Sequence, residues 1–164
     1  MRPAKAFLTA ALFGLASIAT PATVWAGPSE TQYLQSIAGS WNGRAEVTGD
    51  DGGTMTCRMS FKPSGKRLNY NGRCTLSGGS GSQSFSGRIT YNDRKGVFES
   101  TSRGRTVVGQ KNGSTLVFTT SVNDTRSRGT SVMRLSPGGV SVSFDMVNKR
   151  NGERSQGSIP FSRS

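Results

Sequence analysis

Nucleophilic or proton-transfer chemistry would have to come from two cysteines, Cys57 and Cys74, and nine carboxylates, because the 164-residue chain has no histidine. Catalysis needs a group that exchanges protons, or a metal, held in a shielded place. The carboxylates do not offer one. Asp50, Asp51, Asp93 and Asp124 fall in expected turns, and Glu46, Glu99 and Asp145 fall on the outward parity of expected strands. Glu99 is expected directly opposite Arg88, as a cross-strand ion pair. The run Asp50-Asp51-Gly52-Gly53 lacks the spaced oxygen ligands of a calcium loop and reads as a turn. Two thiols alone do not make a structural zinc site, which takes four ligands. With the cysteines paired and no buried carboxylate, the usual nucleophile and base arrangements cannot be assembled. The expectation is a non-enzymatic protein with no catalytic residue, no metal and no cofactor.

The elements that position these residues are legible from residue 41 onward, where apolar residues recur at alternate positions between short turns rich in Gly, Asn, Asp and Ser. That period of two marks antiparallel strands with one sheltered face. Ten are expected, at about 41–48, 54–62, 67–76, 83–91, 96–102, 105–111, 114–122, 128–135, 140–147 and 154–161. Around a tight turn, inward residues must meet inward ones. A turn over Asn92 to Lys95 sets Ile89 opposite Phe98 and Tyr91 opposite Gly96, and Arg103-Gly104 sets Ser100 opposite Val107 and Phe98 opposite Gly109. Asn112-Gly113, the preferred dipeptide of a type I′ hairpin, sets Gly109 opposite Leu116 and Val107 opposite Phe118. Pro137-Gly138 sets Met133 opposite Val142, and Arg150-Asn151 sets Val142 opposite Ile159. A turn at Gly65-Lys66 brings Cys57 opposite Cys74, inside the separation a disulfide tolerates.

A ten-stranded meander leaves two unpaired edges unless it closes on itself. The expected fold is therefore an all-β, antiparallel up-and-down barrel, with a β-sandwich as the alternative. Inward glycines at Gly43, Gly72, Gly87, Gly109 and Gly157 are either corners where the sheet curls or gaps that leave room for a guest. Ahead of the barrel, residues 27–40 form a lead-in with a short helix from about Glu30 to Ile37, capped by Ser29 and covering one end.

Residues 1–26 read as a secretory signal peptide: Arg2 and Lys5, an uncharged apolar run from Ala6 to Thr20, Pro21, then Val24-Trp25-Ala26 before the cleavage point. The apolar run is shorter than the ~20 residues of a spanning helix. No cysteine stands at the cleavage point. The mature chain, a single domain over 41–164 behind its lead-in, is expected in the periplasm or the medium, soluble and without a transmembrane segment. An oxidising compartment suits the disulfide.

The formal charge of +12 invites a nucleic-acid partner, but an exported protein rarely meets one, and none is expected. Arg44, Arg58, Lys62, Arg67, Arg73, Arg88 and Arg134 alternate with Ser, Thr and Asn on the outward parity. Such a face is either a solvated surface that keeps strands apart or an attraction to an anionic envelope polymer.

Gly39-Ser40-Trp41, at the start of the first strand after a short helical lead-in, resembles the Gly-x-Trp signature of the calycin superfamily. The strand count is more similar to the fatty-acid-binding and nitrobindin-like barrels than to lipocalins proper. The resemblance implies a cup for an apolar small molecule, with the tryptophan packed across the closed end near a basic residue of the last strand, here Arg154 or Arg163. Nitrobindin-like barrels hold haem through a histidine, which this chain lacks, leaving only Met59, Met133 or Tyr70 as ligands. Avidin-like barrels use several tryptophans, and only Trp41 survives removal of the leader.

The leading reading is thus an exported barrel that binds a hydrophobic or amphipathic small molecule in its lumen, lined by Trp41, Met59, Tyr70, Phe85, Phe98, Phe118 and Phe144. The alternative is an envelope-associated or inhibitor-type module that binds a protein or anionic polymer through its outer face. Outward Val108, Val117 and Val132, expected side by side, would be its apolar contact or would merely satisfy strand propensity.

Overall fold

A computed structural model describes residues 28–49, 52–77 and 81–164. The expected leader 1–26, the Asp50-Asp51 pair and most of the Gly78–Gly81 run lie outside the described residues. The elements are α1 (Pro28–Ser36), β1 (Gly39–Gly49), β2 (Gly53–Ser64), β3 (Arg67–Leu76), β4 (Ser82–Asn92), β5 (Val97–Ser102), β6 (Arg105–Asn112), β7 (Thr115–Asn123), β8 (Ser127–Ser136), β9 (Gly139–Asn148) and β10 (Arg154–Arg163). Each strand pairs antiparallel with the next, and β1 pairs with β10 through Trp41↔Arg163, Gly43↔Phe161 and Gly49↔Ser155. The sheet is a closed barrel and not a sandwich, so no edge is left to pair with another chain. The helix starts before its expected position. Ser29 lies inside it, and its Oγ donates to Glu30 Oε2 at 2.5 Å.

Most registers fall as the turns predict. Cys57↔Cys74, Phe61↔Tyr70, Ser100↔Val107, Met133↔Val142 and Ile159↔Val142 are all direct partners. Three hairpins are shifted by two residues, one of them β7–β8, where Val117 faces Arg134 rather than Val132. Between β4 and β5, Gly96 leaves the strand for a left-handed turn position (φ 66°) and its N–H bonds Asn92 O at 2.8 Å. Tyr91 therefore faces Phe98, and Ile89 faces Ser100. Between β6 and β7, Asn112 closes the turn against Thr115, and only Gly113 is left-handed (φ 58°). That matches a type II′ turn, with glycine first, rather than type I′. Gly109 then faces Phe118. A shift of two preserves the inward face because the side-chain period is two.

The shifts correct two outward expectations. Glu99 faces Thr90, not Arg88, and its carboxylate instead accepts from Lys95 Nζ and Asn92 Nδ2, both at 3.1 Å. The three valines are not side by side: Val108 faces Glu99, Val117 lies between Gln110 and Arg134, and Val132 lies between Thr119 and Ser143. Val108 alone is widely exposed, at 53%.

The inward glycines are seats for neighbouring rings. Gly72 lies under the Phe85 ring, Gly87 under Tyr70, Gly157 under Phe144, and Gly43 against Ile159 and Phe161. A Cβ placed on Gly109 would lie 2.5 Å from the Phe118 ring and 2.9 Å from Leu116. The missing side chains admit cross-strand aromatics rather than an empty gap, a device that lets wide rings lie along a curved wall.

Candidate functional site

The two ends of the barrel differ. At one end the turns at Gly65, Gly113 and Gly138 meet α1, and the inward side chains are sealed: Leu34, Ile37, Trp41, Phe61, Leu68, Ile89, Leu116 and Leu135 are buried. Tyr33 anchors the helix, its hydroxyl donating to Leu135 O at 2.8 Å and Ser114 O at 3.0 Å, with its ring edge-on to Phe98 and under Lys111 Nζ. Burial pushes the Tyr33 phenol above its ordinary value, which keeps it a donor. Trp41 Nε1 donates to Ile37 O at 3.1 Å. Over the tryptophan ring, at 4.6 Å, lies the guanidinium of Arg163, which donates to Ala38 O, to Ser36 O at 2.9 Å and to Pro137 O at 3.2 Å. The Ser36 and Ala38 carbonyls lie at the end of the helix, where backbone acceptors lack intrahelical partners and a cation is favourable, and Pro137 O lies in the turn between β8 and β9. Arg154, the other candidate for this place, instead bonds Asp145 through Nε at 2.8 Å and Nη2 at 2.5 Å on the outer face, and holds that carboxyl below the usual range.

Toward the other end, inward residues turn part-exposed on seven of the ten strands, at Ala45, Met55, Leu76, Phe85, Val122, Met133, Phe144 and Met146, although Val47 there stays buried. Here the turn after β7 and the turn after β9 clasp each other. Lys149 N–H bonds Arg126 O at 2.8 Å, and Lys149 Nζ reaches Asn123 Oδ1 at 2.8 Å and Asp124 O at 2.5 Å. Asp124 Oδ1 accepts from the N–H groups of Arg126 and Ser127, both at 2.8 Å, and these bonds lower its pKa. Beside this clasp is a cavity of about 300 Å³ lined by Met146, Ser155 and Ser127 from the strands and by Arg126, Arg150 and Glu153 from the rim. Its lining mixes Met146 and Val147 with hydroxyl and carboxamide groups, two arginines and one carboxylate.

The expected lumen residues divide between these ends. Trp41, Met59, Tyr70, Phe98 and Phe118 are buried in the packed core, whereas Phe85 and Phe144 are part-exposed in the open half. Tyr70 Oη lies 3.3 Å from Ser100 Oγ, so its buried polar end is satisfied. The rim residues Arg126, Arg150 and Glu153 were not singled out by sequence reasoning; only their neighbouring turn signals mark them. Among the described residues, no three Cys, Asp or Glu side chains come together in a way that would hold a metal ion.

Comparison places the chain among barrels. No family model matches it, and no curated protein does. Among solved structures it is similar to Rv2717c from M. tuberculosis, with a TM-score of 0.56 and 14% identity over 82% of this chain and 97% of that one. At that identity the likeness concerns the fold alone.

Proposed function

We propose that this chain is an exported, non-enzymatic, calycin-like barrel that takes an amphipathic small molecule into the open half of its lumen. The observation that carries the reading is the gradient of burial: inward side chains are sealed beneath α1, whereas toward the opposite end most, Val47 excepted, are part-exposed, with Phe85, Phe144 and Met146 among inward Ser127, Ser131 and Ser155. Phe85, Phe144 and Met146 would touch the apolar part of the guest. Arg126 and Arg150 would meet its head, and Trp41, Met59, Tyr70, Phe98 and Phe118 would support the floor from beneath. The Arg163 guanidinium over Trp41 supports the calycin-like assignment, since it matches the closed-end pairing that the Gly39-Ser40-Trp41 resemblance implies. The leader-like first 26 residues and the Cys57–Cys74 bridge favour a periplasmic or secreted location.

Native mass spectrometry of the protein recovered from the periplasm or medium of a producing cell tests this. The expected result is a lipid-sized mass excess that vanishes on denaturation, or one equivalent of added dodecanoate retained by the emptied protein. Identical native and denatured masses, with no dodecanoate retained, would overturn it.

A further inference from the structure

On the outer wall of β1 to β4, a second cavity of about 530 Å³ is bordered by Arg58, Arg73 and Arg103, with Ser60, Asn71 and Ser84 between them. Arg58 and Arg73 are direct cross-strand partners, an arrangement in which like charges destabilise the sheet. Among the described residues, none of the three arginines is in an ion pair. The Cys57–Cys74 bridge occupies the adjacent rung, with Cα atoms 4.1 Å apart, and so fixes the register that keeps the two guanidiniums together. Arg103 is the one described non-glycine residue with positive φ, at 48°, as the first residue of the two-residue Arg103-Gly104 turn, where a type I′ hairpin needs positive φ at both positions. It turns back along β4, its Nη2 reaching Ser84 O at 3.4 Å, while Arg73 Nη2 donates to Ser82 Oγ at 3.0 Å. A like-charge pair and a third guanidinium thus border one concavity, and an anion seated there would screen them.

We propose that this cleft binds a phosphate ester carried on a sugar. Guanidinium forks match the oxygen geometry of a phosphate, which would also screen Arg58 from Arg73. The uncharged hydroxyl and carboxamide groups of Ser60, Asn71 and Ser84 both donate and accept, as the hydroxyls of a sugar require. The three arginines border the cleft on the outer wall, and Trp41, Met59 and Phe85 border it from the barrel side. Free sugar phosphates and the phosphorylated saccharide heads of envelope lipids share this chemistry.

The test is a titration of the purified protein, followed by amide NMR shifts, with glucose 6-phosphate, glucose and inorganic phosphate, alongside flotation with phosphatidylcholine vesicles with and without lipid A. Glucose 6-phosphate should bind more tightly than inorganic phosphate, and glucose should not bind. R58Q and R73Q should each weaken it by about tenfold, the loss of one charged hydrogen bond, while R134Q, on the outer face of β8, should change it less than about twofold. R58Q should melt no lower than the parent, since it removes a like-charge pair, so lost binding cannot be lost folding. Capture by lipid A vesicles that R58Q abolishes assigns the lipid source, and binding in solution without capture assigns the free sugar phosphate. Equal weakening by R58Q and R134Q, or inorganic phosphate bound as tightly as glucose 6-phosphate, would overturn the proposal.

Discussion

Replacing Gly109 by alanine should destabilise the barrel, although alanine normally favours a strand over glycine. Relief from glycine's backbone entropy would on its own give a gain of roughly 0.5–1 kcal/mol. The added Cβ, however, would lie 2.5 Å and 2.8 Å from two Phe118 ring atoms and 2.9 Å from Leu116 Cδ1, all of them side-chain atoms in the sealed half. Phe118 is 2% exposed and belongs to the buried core cluster. Overpacking of this kind costs about 1–3 kcal/mol, so the net loss should be about 1–2 kcal/mol. Truncating the ring relieves the clash, and F118L in the G109A background should therefore cost less than F118L in the parent. The coupling energy of that cycle should reach about 1–2 kcal/mol, well above the ~0.5 kcal/mol scatter of independent sites. Urea unfolding of the parent, both single variants and the double variant measures it. Gly138, with nothing within 4 Å of its would-be Cβ, is the control, and G138A should be neutral or slightly stabilising. A neutral or stabilising G109A, or a coupling no larger than the scatter, would refute the idea that inward glycines are seats for rings.

Three further outcomes follow from the same geometry. Replacing both cysteines by alanine opens a link between residues 17 apart and should cost about 3 kcal/mol, read from urea curves with and without reductant. R163M should lower the melting temperature more than R163K, because lysine keeps the charge over Trp41 but cannot reach the carbonyls of Ser36, Ala38 and Pro137 together. Below about pH 4, melting temperature should fall: Asp124 is held low by the Ser127 and Arg126 amides, Glu99 by Lys95 and Asp145 by Arg154. A carboxyl with a lowered folded pKa contributes stability above its unfolded value and loses it as pH drops through the folded one. D124N should flatten part of that acid limb in melts taken between about pH 2 and 7.

Parity was the legible part of the fold. Every expected inward aromatic is on the inner side, because hydrophobic alternation survives any even slip. The Gly65-Lys66 and Pro137-Gly138 hairpins were placed correctly since their closing pairs, Ser64↔Arg67 and Ser136↔Gly139, leave two loop residues. The turns after Asn92, Asn112 and Asn123 were not. Whether Gly96 starts a strand or stands inside the turn, and whether Gly113 is the second or the first loop residue, depends on a left-handed φ that composition does not reveal. That ambiguity placed Glu99 against the wrong partner and, together with the two-residue slip between β7 and β8, aligned the valines. The site was less legible than the fold. Trp41 and Phe144 carry the same inward signal, yet α1 seals one and leaves the other part-exposed. Burial along the barrel axis is a property of closure, not of alternation. The arginine cleft needs positions 58, 73 and 103 brought together across three strands and a turn.

Four methionines sample the barrel axis, and methyl NMR of ¹³C-methionine-labelled protein titrated with dodecanoate tests the open lumen most directly. Met146 and Met55 are part-exposed in the open half, whereas Met59 is 2% exposed in the sealed core. The account predicts saturable shifts at Met146 and Met55 at one equivalent, with Met59 unmoved. Methyl signals that all stay in place, or a Met59 shift as large as that of Met146, would contradict it.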